Sequence, residues 1–258
     1  MTRRAVTYAS YLKVPELLAL QLERSAGPDG PEHDELLFIV IHQVYELWFK
    51  QVRHELRGVQ RAFEAGDTDT ALHLLNRVLK ILKTLVAQVD VLETMTPLQF
   101  LSFRDRLESA SGFQSAGFRR VEAILGLRDP ASALAQPEDS EARRAIEADQ
   151  AGLSVWDSFL AYLAQRGHAV PDDAAVPDAR VQEVLVAVYR GDPNAAMVAE
   201  RLVDLDEGVQ EWRYRHVKMV ERTIGTKRGT GGSSGVEYLR STLFRPAFPD
   251  LWEIRARL

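Results

Sequence analysis

Apolar side chains recur three or four residues apart through most of this 258-residue chain, the period of an amphipathic helix. Between residues 34 and 65 they fall at Leu37, Ile41, Val44, Trp48, Val52, Leu56, Val59 and Phe63, and Gly66 ends the run. At a rise of 1.5 Å per residue, this predicts a helix about 50 Å long. Its first half is apolar on a second side through Phe38, Tyr45 and Phe49. A helix apolar around most of its circumference belongs inside a bundle.

The same period predicts a second helix over 69–93, with Leu75, Leu79, Leu82, Val86, Val89 and Leu92 on one stripe. "TPLQ" at 96–99 is a capping box with proline at the first helical position, so it should open a helix carrying Phe100, Phe103, Arg104 and Leu107. Another helix should end at Gly126. Residues 127–153 are the most polar section and include the likeliest surface loop. Helices follow over 154–166 and 178–190. Asp192 as cap and Pro193 as first residue then start a long helix that reaches about Ile224. There is no alternating strand pattern and no internal repeat. The expected fold is an all-α helical bundle, a single domain over 1–258.

Composition narrows the chemistry. With no cysteine in the chain, disulfides, thiolate metal sites and thiol nucleophiles drop out together. Any metal or haem must be held by the six histidines, by carboxylates, or by Tyr or Met. The net charge of −5 argues against nucleic acid as a partner, because phosphate contacts need a basic face. No apolar run nears the roughly 18 residues of a membrane span, and the N-terminus lacks the apolar core of a signal peptide. The expectation is a cytoplasmic protein with no membrane partner.

Two histidines stand out. His216 falls on the apolar stripe of the last long helix, four residues after Trp212 and four before Val220. An imidazole there needs a hydrogen-bond partner or a metal; spacing alone favours a core histidine satisfied by a neighbouring helix. Arg213, Arg215, Lys218, Lys227 and Arg228 surround it. They either complement the helix dipole or meet an acidic ligand such as haem propionates. His42 lies among Phe38, Tyr45 and Phe49, one turn before Glu46; it reads as a core histidine or as half of a metal pair without a third ligand. His33 sits where it could cap the first long helix, while His54, His73 and His168 read as surface residues. Arg104, beside Phe103, suits a carboxylate of protein or ligand.

The loop "GTGGSSG" at 229–235 breaks the dinucleotide fingerprint at Ser234 and contains no P-loop. Apolar sequence follows it, so it is an internal loop whose glycines let the main chain approach a ligand, with Thr230 and serines as short hydroxyls.

Three segments together then resemble a known family: "HDELLFIVIHQVYELWFKQVRHEL" (33–56), "ETMTPLQFLSFRDRLESASGFQSAGFRRVE" (93–122) and "WRYRHVKMVERTIGTKRGTGGSSGVEYL" (212–239). They closely resemble tryptophan 2,3-dioxygenases. The resemblance implies an all-helical homotetramer that binds b-type haem and inserts both atoms of O2 into the indole of L-tryptophan, giving N-formylkynurenine. It implies His216 as iron ligand and His42 as the catalytic distal histidine that accepts the indole N–H. Phe38 would pack on the indole, with Phe100 beside the carboxylate site. Arg104 would bind the substrate carboxylate, with Thr230 at the carboxylate or ammonium end. Ser111 and Gly112 resemble the stretch beside the propionates and the ammonium, and Arg119 a propionate partner. Tyr8, Tyr11 and Leu12 match a pattern that closes a neighbouring subunit's pocket, so segment 1–30 should contact that subunit. The loop after Thr230 would fold down over the substrate as a lid. The central region, 127–192, looks shorter than is usual in the family. Three other readings remain open on sequence: a relative that oxygenates a substituted tryptophan, or that adds one oxygen atom to give an oxindole; a haem sensor without turnover; and a non-haem iron enzyme.

Overall fold

The computed structural model describes residues 5–27, 30–227, 229–230 and 235–258. Three long helices form its centre. Helix α3 (His33–Glu64) turns at Gly66, where φ is +68°, into α4 (Thr68–Leu92), and α11 (Pro193–Ile224) lies along α4. Both 32-residue helices match the lengths that the apolar period predicts. Their stripes meet in one core. Leu56, Val59 and Phe63 from α3, Leu75, Val78 and Leu85 from α4, and Leu202 and Leu205 from α11 are all fully or almost fully buried. Truncating one such leucine to alanine costs about 2–5 kcal/mol.

Shorter helices surround this centre. They are α1 (Tyr8–Leu12), α2 (Val14–Leu17), α5 (Pro97–Arg104), α6 (Ala116–Leu125), α7 (Pro130–Leu134), α8 (Glu141–Ala151), α9 (Val155–Gln165), α10 (Ala179–Gly191), α12 (Val236–Ser241) and α13 (Pro249–Glu253). Among the described residues there is no strand, only an isolated bridge between Gly27 and Gly30. The fold is all-α, as expected. Among those residues, too, no helix is long and apolar enough to cross a membrane.

Helix starts follow the local chemistry. Thr96 and Gln99 form the predicted capping box with Pro97 inside it, and Asp192 caps α11 through the Ala195 N–H. His33, by contrast, is the first helical residue of α3; Glu32 holds the cap position and its side chain makes no capping bond.

The polar section 127–153 holds more than the surface loop expected within it. It contains α7 and α8, capped by Asp129 and Ser140. Only Ile146 is a large buried apolar residue in α8, too few to set up a readable period. What fixes α8 is polar: Asp149 accepts from Arg57 at 2.7 Å and from Arg120 at 2.5 Å. The C-terminal segment is also held by a buried carboxylate. Asp206 of α11 accepts from the Ala247 and Phe248 N–H groups and from Trp252 Nε1.

Candidate active site

A cavity of about 490 Å³ lies between α3, α5, the segment 110–115, α6, α11 and α12. That volume falls within the usual range of small-molecule sites, roughly 300–1,000 Å³. Its lining is mainly aromatic and aliphatic, with a few polar groups at set places. Helix α3 contributes Phe38 and His42 from successive turns, because residues four apart share a helix face. Their rings lie 4.1 Å apart, and Phe100 and Phe103 of α5 pack on Phe38 at 5.8 and 5.6 Å.

His42 Nδ1 stands 2.7 Å from the Phe38 carbonyl oxygen. A carbonyl only accepts, so Nδ1 carries the proton and Nε2 keeps its lone pair. The ring lines the cavity, and desolvation by the surrounding chain lowers its pKa below the ordinary histidine value; the Phe38 bond and the charge of Glu46 oppose that shift without cancelling it. His42 is therefore neutral near pH 7.

His216 of α11 lines the same cavity. Burial, then the positive charges available at His42 and Arg119, push its pKa down to about 4. Its ring stacks on Trp212 at 5.3 Å, almost parallel, and makes no hydrogen bond to any described residue. Trp212 in turn is seated against Phe49 and Phe118, so the imidazole is aimed by packing alone.

The charged wall lies on α6 and α11. Glu122 accepts from Arg119 Nη1 and from Arg213 Nη2, both at 2.6 Å. Arg119 also donates to the Phe113 carbonyl and lies over the Phe113 ring at 4.7 Å. Two guanidiniums against one carboxylate leave this buried cluster one positive charge in excess, which suits an anionic group in the cavity.

The basic cluster near His216 reads differently in the structure than in the sequence. Arg213 is bound to Glu122, Arg215 to Asp90 and Glu93, and Lys218 to Glu221. Arg213 and Arg215 brace α11 against α6 and the end of α4, while Lys218 pairs within α11, so Arg215 and Lys218 are turned towards protein carboxylates. Arg228 lies outside the described residues.

Of the residues singled out in the sequence, Phe38, His42, Phe100, Arg104, Ser111, Gly112, Arg119, His216 and Thr230 all line the one cavity. Arg104 is half-buried at the end of α5. The Thr230 hydroxyl donates to the Ala110 carbonyl, next to Ser111. Residues 231–234 of the glycine-rich loop, on which the lid expectation rests, lie outside the described residues. Tyr8, Tyr11 and Leu12 do not reach this chain's cavity; they sit on α1 with most of the tyrosine surface in solvent. His42 and Glu46 gain no third ligand: no group of three metal-ligating side chains occurs among the described residues.

Sequence reasoning missed Trp212, Glu122, Tyr238 and the structural part of Glu46. Glu46 stands one turn beyond His42, a spacing that already places it on the cavity side. Tyr238 packs edge-on against Phe113 at 5.1 Å, from a six-residue helix too short to show a period.

The residues fit haem, by three observations: a mainly apolar cavity, a neutral imidazole without a hydrogen-bond partner among the described residues, and a cationic excess on one wall. Comparison with known proteins gives the same direction. A family model described as Tryptophan 2,3-dioxygenase matches residues 1–148 and 131–258. The Tryptophan 2,3-dioxygenase of Anaeromyxobacter dehalogenans (strain 2CP-C) is 60% identical over 264 residues, covering 98% of this chain and 97% of that protein. That of Herpetosiphon aurantiacus is 56% identical over 268 residues, covering 99% of each. That of Bordetella pertussis (strain Tohama I) is 41% identical over 272 residues, covering 99% of this chain and 92% of that protein.

Proposed function

The chain belongs to the tryptophan 2,3-dioxygenase family, and from that premise we propose how its cavity works. The protein is a haem-dependent dioxygenase that cleaves the indole C2–C3 bond of L-tryptophan with O2, giving N-formyl-L-kynurenine. The observation that carries this reading is the pair of imidazoles, His42 on α3 and His216 on α11, lining one aromatic cavity.

His216 holds b-type haem, which when bound supplies the ferrous iron where dioxygen is activated. Imidazole is suited to this, since thiolate ligation favours O–O cleavage. Arg119 takes a propionate, supported by the positive excess around Glu122, with Ser111 and Gly112 beside it.

The substrate's indole ring packs on Phe38. Its N–H donates to His42 Nε2, the nitrogen that the Phe38 carbonyl leaves as acceptor. His42 orients the ring more than it removes a proton, because an indole N–H is far too weakly acidic for a base whose pKa is lowered. Arg104 pairs with the substrate carboxylate, with Phe100 beside that site. Thr230 and Ser111 serve the carboxylate and ammonium end. These contacts lie away from the reacting carbons, so their binding energy is used to fix the ring's attitude. The apolar walls keep water out while the ring is held. In a homotetramer, Tyr8, Tyr11 and Leu12 of a neighbouring subunit close the pocket, which accounts for their exposure here.

The test is direct. Ferrous, haem-loaded protein is mixed with L-tryptophan under O2, and product is followed by absorbance and mass. N-formyl-L-kynurenine, heavier than tryptophan by two oxygen atoms, is expected. Gain of a single oxygen, or no Soret band after haem supplementation, would overturn the reading.

A further inference from the structure

Glu46 faces the cavity one turn beyond His42 and has no part in the chemistry just described. Its Oε1 accepts from the Ser115 hydroxyl at 2.5 Å. Ser115 is the cap of α6, and the same hydroxyl accepts from the Phe118 N–H at 3.2 Å. The other carboxylate oxygen lies over Gly117. A Cβ on Gly117 would overlap Oε2 outright, and would stand 3.2 Å from the Phe49 Cβ.

Gly117 lies inside a helix and its φ is not positive. A helical glycine weakens the helix relative to alanine, and nothing in this backbone requires one. What the glycine supplies is room for a carboxylate. The hydrogen bond and the missing side chain are thus two independent signs of one contact.

That contact links two parts of the site. Residues 111–119 form a hydrogen-bonded unit: Gln114 N–H bonds to Ser111 O, Ser115 N–H to Gly112 O, and Arg119 N–H to Ser115 O. Among the described residues, the Ser115–Glu46 bond is the hydrogen bond that joins this unit to α3. We propose that Glu46 is a positioning residue. Through Ser115, and in the space left by Gly117, it sets Ser111, Gly112 and Arg119 at a fixed distance from His42. The proposal rests on the reading of those residues as the substrate and haem contacts.

The experiment uses haem-loaded enzyme and the variants Glu46→Gln, Glu46→Ala, Ser115→Ala, Gly117→Ala and the Glu46→Ala/Ser115→Ala double. Kinetic constants for L-tryptophan, haem content and amide hydrogen exchange over 111–119 are measured on each. Glu46→Ala and Ser115→Ala should each raise KM on the order of tenfold, the effect of losing one charge-assisted hydrogen bond. The double should be no worse than Ser115→Ala alone, since that variant already lacks the bond to Glu46 along with the α6 cap. Glu46→Gln keeps an acceptor oxygen and should recover most of the loss. Gly117→Ala, which pushes the carboxylate aside without changing its charge, should reproduce it. Exchange over 111–119 should speed up in step with KM.

Additive losses in the double would overturn the proposal. So would a Glu46→Gln variant as poor as Glu46→Ala, or a lowered thermal midpoint with KM and exchange unchanged. If wild-type protein makes no N-formyl-L-kynurenine, the functional reading fails alone. The link is then judged on exchange: faster, non-additive exchange in the variants supports it, and unchanged exchange removes it. Should Glu46→Ala not fold, Gly117→Ala and Ser115→Ala decide the matter by the same readouts.

Discussion

The Nδ1 of His42 and the carbonyl oxygen of Phe38 stand 2.7 Å apart, one turn along the same helix. One bond thereby sets the tautomer, and the next residue face sets the ring that stacks beside it. The helix is a jig for the indole: Phe38 offers a surface and His42 an acceptor. Replacing His42 with alanine removes the acceptor but touches neither His216 nor the charged wall. Haem content should therefore stay at wild-type level while kcat falls on the order of a hundredfold, the scale of a misplaced reacting group. Soret absorbance per protein and steady-state turnover measure the two effects separately.

Protonation should act on the same atom. Burial lowers the His42 pKa, so the ring stays neutral down through the pH range where a free histidine, near 6.5, would charge. As pH falls through the lowered value, a proton fills Nε2 and the acceptor is lost. The acid limb of kcat/KM should thus lie below pH 6.5, and the His42→Ala variant should lack it. An acid limb centred at or above 6.5 would count against His42 as the acceptor.

His216 gives a prediction of a different kind. Its ring is held by Trp212 stacking and has no hydrogen bond to a described residue, so its removal breaks no polar network. His216→Ala should fold, with helical circular dichroism unchanged, yet purify without haem. Added imidazole, small enough to enter the space left by the side chain, should restore part of the Soret band. Haem retained at wild-type affinity would show that another residue is the ligand.

The long helices were legible in the sequence because each buries a continuous stripe, as at Leu56, Val59 and Phe63. The caps at Thr96 and Asp192 were legible because they are local. Segment 127–153 was not, since α8 is fixed by Asp149 meeting Arg57 and Arg120, partners 92 and 29 residues away. Nearness in space also decided the basic cluster. Sequence puts Arg215 and Lys218 beside His216, but a helix sends neighbours to different faces, and Arg215 ends on Asp90 and Glu93. The site histidines were visible as polar residues on apolar stripes; their roles came from resemblance to a family. The tautomer of His42 and the space over Gly117 exist only in three dimensions.

Glu122 should be the costliest residue of the wall. It is buried between Arg119 and Arg213, and Arg213 Nη1 also reaches the carbonyls of Thr242 and Arg245. Glu122→Ala leaves two buried guanidiniums facing each other without a counter-charge. Breaking a buried ion pair from one side costs about 3–5 kcal/mol, and chemical denaturation of the haem-free protein should show a loss of that size. A loss below about 1 kcal/mol would place the pair among weakly contributing surface bridges.

Tyr8 and Tyr11 are 78% and 76% exposed, and Leu18, Leu20 and Leu22 follow with most of their surface in solvent. Large apolar side chains in such a run mark a contact surface, and the proposed assembly puts them over a neighbour's cavity. Substituting Tyr8 and Tyr11 with alanine should leave haem content intact but weaken L-tryptophan binding, seen as a raised KM. Complementation separates this from a general loss of stability. A Tyr8→Ala/Tyr11→Ala chain supplies a good cavity and a poor cover; an Arg104→Ala chain supplies the reverse. Each alone should be nearly inactive at low tryptophan. Co-expressed, they should form mixed oligomers in which some cavities with Arg104 receive an intact Tyr8 and Tyr11 from the other chain, and activity should return. If mixing restores nothing while mixed oligomers are present, the cover belongs to the same chain as the cavity.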